Sequence, residues 1–134
     1  MKKMNKVDLF VPETPVSTQH AYVNRAMARG KMIRFLSKDA KAFKELTQQL
    51  FLEKYGPLEE GKTYFEDTLL EVTVHLNFKT RRKVDWDNYH KLWCAALEGY
   101  AYDNDTQIMK ATVDKGHFPD NPGIHIIITP FIKG

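Results

Sequence analysis

Across residues 69–78, apolar and polar side chains alternate without a break. Leu70, Val72, Val74, Leu76 and Phe78 stand against Glu71, Thr73, His75 and Asn77. A period of two predicts a strand with one apolar face and one polar face, as in a half-covered sheet. Ile124, Ile126 and Ile128 alternate in the same way before Pro130 and predict a closing strand. Residues 7–11, closed by Pro12 and Pro15, predict an opening one. Residues 108–113 predict a further strand, with weaker alternation. Helical spacing governs Phe43, Leu46 and Leu50; Ser37 stands at the expected N-cap, and Gly56-Pro57 stops the run. Tyr89, Leu92, Trp93, Ala96 and Leu97 share one face of a second helix. Asp87 or Asn88 can cap it, it reaches about Glu98, and Gly99 ends it. Residues 16–33 show no period; they are polar and basic, and include Gly30. They predict a long loop, which in a compact domain is usually functional or mobile. The order β, loop, α, β, α, β, β predicts an α+β fold: a small mixed sheet with two main helices packed on one face.

The chain has 134 residues, 43% of them hydrophobic and 12% aromatic, which suits one domain, residues 1–134, with a real core. Cys94 is the single cysteine, so no internal disulfide can form; it reads as a small core filler. His20, His75, His90, His117 and His125 show no zinc-ligand spacing. His75, on the polar face of its strand, reads as exposed or paired within the sheet. The charged start, Lys2, Lys3 and Lys6, is interrupted by Asp8, Pro12 and Glu13 where a signal peptide needs an apolar stretch. No apolar run approaches the roughly 18 residues of a membrane span. These features predict a cytoplasmic protein with no membrane partner.

Net charge is only +3, but it is uneven. Between residues 25 and 44 there are seven basic residues and one acidic, among them Arg25, Arg29, Lys31 and Arg34. A second basic cluster, Arg81, Arg82 and Lys83 with Lys79 just before it, precedes two aspartates, Asp85 and Asp87. Either cluster alone reads as a solvated face. Two of them bracketing carboxylates suit a polyanion that must approach an acidic site.

If Asp85 and Asp87 end an extended segment, their side chains point the same way, about 6.6 Å apart. Asp105 precedes the strand predicted at 108–113 and can join them if that strand neighbours the one at 69–78. Hard cations such as Mg²⁺ take carboxylate oxygen and water, so the three aspartates suit one or two such ions. Lys91 follows Asp87 at helical spacing and can face a phosphate held there. The bland alternative is a pair of capping aspartates and an Asp–Lys helix pair. An EF-hand loop is excluded: counted from Asp85, its fifth and sixth places hold Tyr89 and His90.

The ordered pattern is more specific than its parts. It runs through Arg81-Arg82-Lys83-Val84-Asp85-Trp86-Asp87-Asn88-Tyr89-His90-Lys91, then Ala96-Leu97, then Asp105-Thr106-Gln107-Ile108. In this it resembles the RusA family of Holliday junction resolvases. The likeness extends to Pro15-Val16-Ser17 and to the Ile-rich closing strand. It implies a RusA-like fold and a homodimeric, metal-dependent endonuclease that resolves four-way DNA junctions by paired symmetric nicks in recombination and repair. Such proteins are often prophage-encoded. By the resemblance, Asp85, Asp87 and Asp105 match the metal-binding aspartates and Lys91 the catalytic lysine. The implied cofactor is Mg²⁺, with Mn²⁺ as a substitute. Arg25, Arg29, Lys31, Arg34, Arg81, Arg82 and Lys83 are the candidate DNA-binding residues. Two departures stand out: Ala95 where the family commonly has Asp, and Asn104 before Asp105 where it often has paired aspartates. A catalytically inactive DNA-binding protein of the same fold, or a nuclease for other branched DNA, are the alternatives.

Overall fold

In the computed structural model of the chain, the described residues are 6–13, 22–26, 32–79, 89–117 and 120–132, with backbone alone for 22–26, 32–36 and 117. Strands β1 (Val7–Val11), β4 (Leu70–Phe78), β5 (Ile108–His117) and β6 (Gly123–Pro130) form one mixed sheet in the order β1-β6-β4-β5. Strands β2 (Tyr22–Ala26) and β3 (Met32–Leu36) form a separate antiparallel pair. Among the described residues, helices α1 (Lys38–Tyr55) and α2 (Lys91–Leu97) complete the named elements, with a turn of 3₁₀ helix at Asp105–Gln107.

The alternation of β4 is realised in full: Leu70, Val72, Val74, Leu76 and Phe78 are buried and the residues between them half-buried. Burying each such side chain is worth about 1.5–3 kcal/mol, so this strand anchors the core. Its register places Val74 opposite Ile126 of antiparallel β6 and beside Val113 of parallel β5. Leu9 of β1 lies opposite Ile126 on the other side of β6. The parallel β4–β5 pair needs a crossover, and α2 lies within it.

Both helices pack on the apolar face. Ser37 caps α1 as expected, its hydroxyl accepting from the Ala40 amide at 3.2 Å. The buried stripe of α1 is Ala40, Phe43, Thr47 and Phe51. Leu46 and Leu50 are only half-buried against the core, so the face is rotated slightly from the one read off the leucines. The buried Thr47 hydroxyl is satisfied by donating to the Phe43 carbonyl at 2.7 Å. In α2 the core face is the expected one: Leu92, Trp93, Ala96 and Leu97 are buried, and buried Tyr89 packs edge-on against Phe78. The Gln48 amide donates to the Ala96 carbonyl at 3.1 Å and ties the two helices together.

Three expectations are corrected. Residues 16–33 are not one irregular loop: Tyr22–Ala26 is a strand and pairs with Met32–Leu36, with Arg25 opposite Ile33 and Arg34 opposite Asn24. Tyr22, Val23, Ile33 and Phe35 are strand formers whose alternation is broken up by the interspersed charges. Helix α2 begins at Lys91, with His90 at the N-cap position and no side-chain cap bond there. Asp87 and Asn88, the expected caps, lie outside the described residues, and Lys91 does not sit a helical turn inside α2. Strand β5 runs past Val113 to His117. It is an edge strand whose side chains are largely exposed, which explains its weak alternation. Among the described residues, no helix is long and apolar enough to cross a membrane.

Candidate active site

Away from the buried Leu92, Trp93, Ala96 and Leu97, α2 carries exposed Lys91 and half-buried Cys94 and Ala95, with exposed Glu98 at its C-cap. Lys91 is exposed at the first helical position. Two turns later the chain reverses. Gly99 takes a positive φ of 85°, a conformation most side chains resist, and the amides of Tyr100 and Ala101 both return to the Leu97 carbonyl. The reversal brings the 3₁₀ turn at Asp105 back against the end of α2, where the Asp105 amide donates to Glu98 Oε1 at 3.1 Å.

Asp105 itself is exposed, at the start of β5 and at the edge where Leu70 of β4 pairs with Ile108. The condition set by the sequence, that the strand after Asp105 should neighbour the strand at 69–78, is met. Its carboxylate lies near enough to Cys94 and Tyr102 to act on both. Burial, with the Asp105 charge next in weight, pushes the Cys94 thiol up to about 12, so it stays protonated. Burial also pushes the Tyr102 phenol far above its ordinary range; it is fully buried and donates to the Cys94 carbonyl at 2.7 Å.

Gln107 holds the aspartate turn in place. Its amide donates to the carbonyls of Glu66 and Thr68, both at 2.7 Å, while its Oε1 accepts from the Asn104 amide at 2.9 Å. Asn104 in turn accepts from the Thr106 amide at 2.9 Å, completing a capping box around Asp105. The segment below is pinned by the Tyr64 and Phe65 amides to the carbonyls of Tyr100 and Ala101, and by Thr63 donating to Asp103 at 2.7 Å. The Asp-x-Gln motif thus divides its labour: the aspartate faces solvent and the glutamine, buried, aims it. Replacing Gln107 by Leu strands partly buried carbonyls, each such loss costing about 1–3 kcal/mol. We expect a destabilisation of about 2 kcal/mol or more in denaturant titration.

The role of Gln107 was not assigned from sequence, although Asn104-x-x-Gln107 is a readable capping signature. Glu98 was also missed; no sequence signal marks a carboxylate that binds a backbone amide seven residues on. Of the other candidates, Asp85, Asp87, Arg29, Lys31, Arg81, Arg82 and Lys83 lie outside the described residues. Arg25 and Arg34 are placed on paired strands by their backbone. Among the described residues, no group of three or more metal-ligating side chains converges. Asp105 alone of the three aspartates is described, and as an exposed oxygen donor on a rigid turn it fits a hard cation.

No curated protein matches the chain. The sequence model of the family described as Endodeoxyribonuclease RusA matches residues 12–129, nearly the full length, and spans the Asp-x-Asp segment, Lys91 and the Asp105 turn. The chain therefore belongs to the RusA endodeoxyribonuclease family.

Proposed function

We propose that this chain is a divalent-metal-dependent endonuclease, acting as a homodimer, that resolves four-way DNA junctions by paired symmetric nicks in cytoplasmic recombination and repair. The observation that carries this reading is the family match over residues 12–129, a range within which Asp85, Asp87, Lys91 and Asp105 fall. Asp85, Asp87 and Asp105 would hold Mg²⁺, or Mn²⁺ in its place. When bound, the ion supplies Lewis-acid polarisation of the scissile phosphate and eases deprotonation of water. Asp105, held by Gln107 and Glu98, contributes a carboxylate whose position costs no reorganisation at the moment of reaction. Lys91, exposed at the head of α2, is suited to balance charge on the phosphate oxygens. Two-fold symmetry gives two such sites, one for each of the opposed strands of a junction. Residues 1–134 act as one nuclease domain.

The test is the product pattern from a labelled synthetic four-way junction with Mg²⁺ or Mn²⁺. Paired nicks at symmetric positions support the reading. Binding without cleavage in either metal would make the protein a junction-binding scaffold. Preferential cutting of flaps would make it a nuclease for other branched DNA.

Affinity should reside in the basic residues, including those of the β2–β3 pair. Neutralising Arg25, Arg29 and Lys31 together should weaken junction binding and flatten its salt dependence, by about 0.9 in log–log slope for each phosphate no longer neutralised. Binding titrations at several salt concentrations measure both; an unchanged affinity and slope would remove these residues from the interface.

A further inference from the structure

The sheet face away from the helices carries a row of four titratable side chains, one from each strand. Asp8 Oδ1 of β1 lies 2.6 Å from His125 Nε2 of β6, and Asp114 Oδ1 of β5 lies 2.7 Å from His75 Nδ1 of β4. His75 and His125 are directly opposite in the antiparallel β4–β6 ladder, with ring centres 5.6 Å apart and planes inclined at 44°. Both are about one-third exposed, at 35% and 34%.

We propose that His75 and His125 form a two-imidazole site for a borderline divalent transition metal, such as Zn²⁺ or Ni²⁺, on the open face of the sheet. The chemistry follows from the carboxylates. An ionised carboxylate only accepts, so the nitrogen of each ring that faces one carries the proton. In the neutral ring the other nitrogen then holds a lone pair: Nε2 of His75 and Nδ1 of His125. A carboxylate behind a histidine is the usual support of a metal ligand, because it fixes the tautomer and raises basicity. The spacing is also right. Metal–nitrogen bonds of about 2.0–2.1 Å place two ring centres roughly 5–5.5 Å apart around one tetrahedral ion. Two nitrogen donors select Zn²⁺, Ni²⁺ or Cu²⁺ over Mg²⁺, so this site is chemically distinct from the aspartate site. The protein supplies two donors, since no third metal-ligating side chain converges among the described residues, and solvent completes the shell. The inference does not depend on the nuclease reading.

The experiment is calorimetric titration of the full chain with Ni²⁺ in saturating Mg²⁺, which occupies oxygen-rich sites. The parent should bind one equivalent. His75→Gln and His125→Gln should each weaken that binding at least tenfold. Asp114→Asn should weaken it about 10-fold or more while the stoichiometry stays at one, the usual range for a lost supporting carboxylate. Histidine ¹H–¹⁵N spectra with Zn²⁺ give a second readout that needs no variant: shifts should fall on His75 and His125, with His20, His90 and His117 as internal controls. Equal Ni²⁺ binding by the parent and both histidine variants would overturn the proposal. So would absence of binding by the parent, or Zn²⁺ shifts confined to the other three histidines.

Discussion

Asp105→Asn should reduce junction cleavage in Mg²⁺ about a thousandfold, the scale of removing one electrostatic stabiliser from a transition state, and leave junction binding nearly intact. The substitution changes charge without changing shape. Asp105 is exposed, and its backbone amide, which Asn retains, makes the contact to Glu98. The turn is held by Asn104 and Gln107 rather than by the aspartate carboxylate. Stability should therefore move by no more than about 0.5 kcal/mol, as for an ordinary surface change. A labelled-junction cleavage assay paired with a gel-shift titration separates the two effects. Full cleavage by the variant would remove Asp105 from the site. Lost binding with lost cleavage would show that the turn, not the charge, had been damaged.

Lys91→Ala should slow cleavage about a hundredfold, within the range for a positioned group that acts in the transition state, with little change in melting temperature. Lys91 is exposed at the first position of α2, where its removal disturbs no core packing. A surface ion pair contributes about 0–1 kcal/mol, so a large loss of stability would assign the lysine to the fold instead. Single-turnover kinetics at saturating metal is the deciding measurement, because it isolates the chemical step from binding and product release. Normal turnover would exclude Lys91 from catalysis.

The fold was legible wherever one face of an element is buried. The strands at 7–11 and 70–78 declare themselves because every second side chain meets the core, and the α2 face does so through Leu92, Trp93, Ala96 and Leu97. The β2–β3 pair was illegible because it stands apart from the main sheet and its charges interrupt any period. The extent of β5 was understated for a related reason: an edge strand with exposed residues such as Met109 carries little alternation. In the candidate site, Asp105 is a sequence candidate because a carboxylate next to a strand start is itself readable, and the structure places it exposed on a turn. Glu98 is not, because its role depends on a chain reversal at Gly99 that folds it onto a backbone amide. The His75–His125 pair escaped notice for the same cause. Fifty residues separate the two histidines, and only the β4–β6 register makes them neighbours.

That register has a temporal side. Strand β6 lies between β1 and β4 in the sheet, yet it is the last of the described strands to leave the ribosome. Until it emerges, Val7, Leu9 and Val11 have no neighbouring strand among the described residues, and β4 lacks one of its two described ladders. Pairing Val7 with Ile128 closes a loop of almost the whole chain, and that entropy is spent before the new ladder returns anything. The β4–β5 ladder can form before β6 is made, whereas β1 joins this sheet only through β6, so the last described strand to be synthesised is the one that ties the two ends of the described chain together.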